Sequence, residues 1–132
     1  MASMHKEISI NAAPEAIWDA VRDVGALHTR LVPGFVTDCK VEGEERVVTF
    51  GNGAVMRESI VSIDDSRKRL CWAIFDAKFA KHYNAVMTVT ADGDKARVSW
   101  DSDFLPRELG ERISPMQDLG LATIKKTFEQ SR

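Results

Sequence analysis

Residues 98–104 read VSWDSDF, which sets two carboxylates, Asp101 and Asp103, two positions apart beside Trp100. A close pair of carboxylates can act as general acid and base, so this stretch has the residue types for catalysis. Strand alternation tests the idea. Arg97, Ser99, Asp101 and Asp103 fall on one face, and Val98, Trp100, Ser102 and Phe104 on the other. The apolar set must face a core, and burying two ionised carboxylates without partners costs several kcal/mol. Both aspartates are therefore expected on the wet face, unless a bulge reverses the parity.

The same test applied elsewhere sends a different carboxylate inward. In AVMRESIVSI (54–63), Arg57 and Ser59 suit solvent, which turns Met56, Glu58 and Ile60 toward the core. Val61 and Ile63 argue for the opposite parity or a bulge. An inward Glu58 has two readings. It can be a general acid/base or ligand anchor whose pKa desolvation raises. It can equally be one half of a structural ion pair with an Arg or Lys, or lie at a strand end in water.

In KHYNAVMTVT (81–90), Tyr83, Ala85, Met87 and Val89 face in, and in FVTDCKVE (35–42) Phe35, Thr37, Cys39 and Val41 do so. Tyr83 can offer a hydrogen bond to a ligand oxygen, and Trp72 and Trp100 can stack on a flat ring. Plain core packing is the competing reading for all three. RLCWAIFD (69–76) is apolar on both faces, with Leu70, Trp72 and Ile74 the bulkier set. Its other face is either exposed or covered by a partner chain, a second copy of this chain included.

Several elements must position these residues. The first strand, MHKEISI, carries Met4, Ile8 and Ile10 on one face. APEAIWDAVRDV follows as a helix with Pro14 at its first position and Ile17, Trp18, Val21 and Val24 as its apolar stripe. GALHTRLVPG is expected to form a second short helix, stopped by Pro33-Gly34. Turn signals at Gly43, Asn52-Gly53, Asp64-Asp65-Ser66 and Asp92-Gly93 then divide the chain into strands near 35–42, 46–51, 54–63, 69–76, 81–91 and 95–104.

LPRELGERI is a short helical turn or ordered loop. After it, Ser114, Pro115 and Gln117 read as a capping box opening a long amphipathic helix. Its inner face is expected to hold Met116, Leu119, Gly120, Thr123, Ile124, Thr127 and Phe128, opposite Asp118, Lys125, Lys126 and Glu129. Gly120 either makes room for a ligand or lets helix and sheet approach closely. The small polar Thr123 and Thr127 favour a cavity there.

At 132 residues the chain is expected to be one domain, 1–132, with an α+β architecture: a curved antiparallel sheet under one long helix. A net charge of −2 argues against a nucleic-acid partner, and SRKR (66–69) reads as a solvated hairpin tip. No apolar run approaches the roughly 20 residues of a membrane span, and the N-terminus lacks a secretory signal, so the cytoplasm is the expected location. His5, His28, His82, Cys39 and Cys71 are scattered, which predicts no metal and two free thiols. There is no G-x-S-x-G elbow or phosphate loop, GNG (51–53) is no dinucleotide fingerprint, and no cofactor is expected. Cys39 is a poor nucleophile, because no histidine is predicted to share its face.

The element order, with NAAPEAIWDAVRDV near the start, VMRESIVSIDDSRKRLCWAI in the middle and ARVSWDSDFLP before the last helix, resembles the polyketide-cyclase-type branch of the START-like (SRPBCC) superfamily. The resemblance spans nearly the whole chain. It implies a helix-grip fold: about seven antiparallel strands wrapped around a long C-terminal helix, with two short helices after the first strand. It also implies a cavity for a hydrophobic small molecule, in a carrier, cyclase or dehydratase. The chain departs from the family around HTRLVPGF, where many relatives place a tryptophan and this one has Leu31. It also has a short DAKFAKHY connection, and both departures fall at expected cavity-mouth positions.

Binding of a hydrophobic, ring-containing small molecule is the function expected first. Phe35, Trp72, Met87, Trp100, Ser102, Gly120, Thr123 and Phe128 are its expected contacts. A cyclase- or dehydratase-like activity is the alternative, with Glu58 as acid/base and Tyr83 as hydrogen-bond donor. A protein-interaction module using the two-sided strand near 70–75 is the third.

Overall fold

The computed structural model describes residues 1–130, so the last two residues of the expected 1–132 domain lie outside the described residues. The chain opens with strand β1 (Ala2–Ile10) and helix α1 (Pro14–Arg22). Pro14 suits the helix start, because its fixed φ is already helical and its missing N–H would have had no partner there. Ile17, Trp18, Ala20 and Val21 are buried along one side. Trp18 Nε1–H and Arg22 Nε–H both donate to Asp65, at 3.0 and 2.7 Å, tying α1 to the turn after β4. Those two donors hold the Asp65 carboxyl below its ordinary pKa. The expected second helix is a 3₁₀ turn (Val24–Ala26) running into a single π-helical turn (Leu27–Leu31).

The sheet continues with β2 (Val36–Glu42), β3 (Glu45–Phe50), β4 (Val55–Asp64), β5 (Arg69–Ala73), β6 (His82–Asp92) and β7 (Lys95–Leu105). All seven strands form one antiparallel sheet in the order β1-β7-β6-β5-β4-β3-β2. It is a meander with β1 laid along its last strand. Gly93, at φ +65°, takes the left-handed conformation that the tight β6–β7 turn requires.

Two register shifts set the parities; the one in β2 corrects the expected pattern, and the one in β4 is the bulge that Val61 and Ile63 suggested. One lies between Val36 and Asp38 in β2, so Val36 is buried while Thr37 is exposed, contrary to the expected inward Thr37. Val41, also expected inside, is 52% exposed beside the turn of that hairpin. The other lies between Ile60 and Ser62 in β4. It leaves Glu58 and Ile60 in phase with the core and returns Ile63 to the face of its partner Leu70, with Val61 the odd residue left outside.

After a 3₁₀ turn (Arg107–Leu109) comes α2 (Gly110–Gln130). The helix starts ahead of the expected capping box, and Pro115 sits inside it. Pro115 is on the solvent side, where water can take the Glu111 carbonyl that its missing N–H leaves unpaired. The buried stripe is Ile113, Gln117, Gly120, Leu121 and Ile124. It is rotated from the expected face, so Met116 and Leu119 stand 38% and 58% exposed. Lys6–Asp118 at 3.0 Å and Lys125 Nζ–H donating to the Ser9 carbonyl at 2.8 Å pin α2 over β1. This is the helix-grip arrangement, and none of its described helices is long and apolar enough to cross a membrane.

Candidate functional site

Alternation along β3 to β7 gives the sheet an inward face that α2 covers incompletely. Between them lies a cavity of about 420 Å³, within the range of small-molecule pockets. Its sheet wall holds Met56, Leu70, Trp72, Met87 and Trp100, and α2 adds Ile113, Gln117 and Ile124. Leu27, Leu31, Phe35, Phe50 and Phe79 close the sides. The lining residues exposed to solvent, including Gly34, Asn52, Arg112, Met116 and Leu119, mark its opening. Aromatic rings meet in pairs around it. Trp72 and Trp100 lie 5.7 Å apart between centroids, Phe35 packs edge-on to Phe50 at 5.6 Å, and Phe79 to Tyr83 at 5.5 Å.

One part of this apolar wall is charged. Arg46 on β3 and Glu58 on β4 are directly opposed, and Arg46 Nε–H donates to Glu58 Oε1 at 2.8 Å. The guanidinium carbon also sits 5.6 Å from the Trp72 ring centre, and Nη1–H donates to the Val24 carbonyl at 3.3 Å. Each contact lowers the cost of keeping a charge out of water. Sequence reading named Glu58 but missed Arg46. The signal was present: Val48 and Phe50 face in, and two-residue alternation from them reaches Arg46.

Tyr83 lies on the same wall. Burial pushes its phenol well above the usual tyrosine range, and the negative charge of Glu58 adds to the shift. The nearby Trp100 N–H opposes the shift. Trp100 Nε1 is itself buried and has no hydrogen-bond partner of acceptable geometry among the described residues.

Of the expected site residues, Glu58, Tyr83, Phe35, Trp72, Met87 and Trp100 are brought together around this cavity. Ser102, Gly120, Thr123 and Phe128 are not part of its lining, which corrects their expected position. Ser102 is buried and donates to Gln117 Oε1 at 2.7 Å, locking helix to sheet. Gln117, expected to cap the helix, is instead this buried partner. A Cβ built on Gly120 would lie 2.7 Å from Trp100 Cζ3, so the glycine serves close approach of α2 and β7. Thr123 returns its hydroxyl to the Leu119 carbonyl at 2.7 Å, a satisfied group within the helix. Phe128 packs half-buried against the core.

The paired carboxylates of β7 lie outside this site. Asp101 meets the His5 ring at 2.5 Å and Asp103 meets His82 at 2.6 Å, all four on the outer face of the sheet. On the same face, Cys71 and Ala73 of β5 are already buried within the single chain, while Phe75 beyond the strand is 80% exposed. Cys39 is buried, its thiol pushed up in pKa by desolvation, and it donates to the Val24 carbonyl at 3.3 Å. No group of three His, Cys, Asp or Glu among the described residues is placed to hold a metal ion.

Residues 1–129 match the family described as polyketide cyclase/dehydrase and lipid transport. No curated protein matches the chain. Among solved structures it is similar to the protein XoxI from Bacillus cereus, with 19% identity, 97% of this chain and 96% of that one covered, and a TM-score of 0.87. A START superfamily protein from Mycobacterium smegmatis is 13% identical over 98% and 99% of the two chains, with a TM-score of 0.76. A point mutant of Thalictrum norcoclaurine synthase, in complex with a transition-state analogue, is 17% identical over 99% and 96%, with a TM-score of 0.69. Likeness at such identities is likeness of fold.

Proposed function

The chain belongs to the polyketide cyclase/dehydrase and lipid transport family of START-like proteins, and from that premise we propose that it binds a hydrophobic, ring-containing small molecule between the sheet and α2. The observation that carries this reading is the cavity of about 420 Å³, walled mainly by aromatic and aliphatic side chains. The Trp72 and Trp100 rings offer flat surfaces for a ring system to lie against. Native mass spectrometry of freshly purified protein, compared with the denatured chain, tests it. A co-purified small molecule, or saturable binding of an apolar fluorescent dye displaced by polycyclic compounds, is the expected result. An empty protein that takes up no apolar dye overturns the reading.

Acid/base catalysis in the same cavity is the second reading, supported by the presence of both Glu58 and Tyr83 on its lining. The Arg46 contact favours a structural task for Glu58, so binding comes first.

A further inference from the structure

We infer that the cavity selects a ligand bearing an uncharged oxygen acceptor, a ketone- or lactone-type carbonyl, which takes the hydrogen of Trp100 Nε1. This rests on the small-molecule reading above and names the chemistry of its ligand. An indole N–H is a donor only, and one buried without a partner carries its full desolvation penalty. Trp100 Nε1 is such a group, on a residue that lines the cavity. The Tyr83 hydroxyl lies near it without the geometry to accept the indole hydrogen, and is a second donor for the same ligand oxygen. A hydrocarbon would fill the space and leave the indole unpaired.

The other polar groups of the lining argue for a neutral acceptor. Arg46 gives Nε–H to Glu58 and Nη1–H to the Val24 carbonyl and lies by the Trp72 face. Its charge is already balanced by Glu58, so an incoming carboxylate meets a neutral pair rather than a free cation. Glu58 itself would repel one. The Gln117 amide is engaged by Ser102 and by the Trp100 carbonyl. Arg112 also lines the cavity, but at its exposed opening, where water and salt screen a charge contact. A cationic ligand would suit Glu58 and would still offer nothing to the indole.

Fluorenone, fluorene and fluorenecarboxylate share one ring skeleton and separate these cases, measured by calorimetry and by displacement of an apolar dye. Fluorenone is expected to bind about 5- to 10-fold more tightly than fluorene, as a hydrogen bond to a waiting donor implies. In the Trp100→Phe variant fluorenone and fluorene should bind alike, because the donor is gone, whatever the loss of stacking surface does to the affinity of both. In isotope-labelled wild-type protein, the Trp100 indole proton should move downfield with fluorenone and not with fluorene. Equal affinities, a preference that survives Trp100→Phe, or tighter binding of the carboxylate would overturn the inference and leave the binding reading standing. Failure of all three probes while the dye still binds would overturn the inference, and failure of the dye as well would overturn both. Should Trp100→Phe not fold, the wild-type indole resonance decides: an unmoved proton in the fluorenone complex overturns the assignment.

Discussion

Arg46 and Glu58 face each other across β3 and β4 and meet at 2.8 Å, with 3% and 5% of their surfaces exposed. Two charges so far from water are tolerable because each compensates the other. This alters what a Glu58 substitution tests. Had Glu58 stood alone on an apolar face, Glu58→Gln would have relieved the structure. Here it strands the guanidinium. Glu58→Gln and Arg46→Met should each lower unfolding stability by about 3–5 kcal/mol, while the double change to methionine at both positions recovers most of the loss. Urea denaturation midpoints check this, and a Glu58→Gln protein as stable as wild type would refute it.

Tyr83 is the chain's one tyrosine, so its ionisation can be followed by ultraviolet absorbance. Burial and the Glu58 charge raise its pKa in the folded state. An unfolded tyrosine ionises near pH 10, so the folded state holds the proton more tightly above that point. Stability contributed by this difference is intact below about pH 10 and declines as pH rises beyond it. The tyrosinate band should therefore appear together with loss of near-ultraviolet circular dichroism. A band that grows near pH 10 in fully folded protein would contradict the buried phenol.

Gly120→Ala pits helix propensity against packing. Alanine gains about 1 kcal/mol in a helix interior. Its Cβ would stand 2.7 Å from Trp100 Cζ3, so the indole, which meets Trp72 on the sheet, must shift to admit it. Overpacking costs about 1–3 kcal/mol, so the variant should be net destabilised, with altered tryptophan fluorescence and weaker binding of apolar dye. A more stable Gly120→Ala protein would show that α2 can move away from β7 freely.

His5 lies between Asp101 and Glu7, and hydrogen bonds to them, Asp101 foremost, raise its pKa above 6.5. The folded state thus favours the protonated ring. Its contribution to stability is complete below about pH 6.5 and fades as pH rises through the folded value. Because the pair is exposed, the effect on unfolding should be small. The His5 ring proton, titrated by NMR, should give a pKa above the ordinary value that falls in Asp101→Asn. An unchanged value in that variant would remove Asp101 as the cause.

Local periodicity carried much of this molecule. Alternation over residues 97–104 was enough to put Asp101 and Asp103 outside, since it needs only the pleat of a single strand. The same reasoning turned Tyr83, Ala85, Met87 and Val89 inward, and all four are buried. Glu58 too could be read as inward, although its partner could not be named. Element order was enough to suggest the fold, because an antiparallel meander and one long helix can bury their apolar faces in few ways.

The tertiary structure decided what depends on pairing between distant segments. Bulges at 36–38 and 60–62 exist only as a mismatch between two strands, so neither strand's sequence alone fixes which residue is left over. The long helix was misread for a similar reason. Pro115 resembles a helix start locally, yet contacts with the sheet sustain the preceding turn and select Ile113, Gln117 and Ile124 as the buried stripe. Gly120 against Trp100, Ser102 against Gln117 and Arg46 against Glu58 are all meetings across elements. The sequence determined which residues could be buried. Register and helix rotation, set by the packing of the whole chain, decided which of them face one another and which face the cavity.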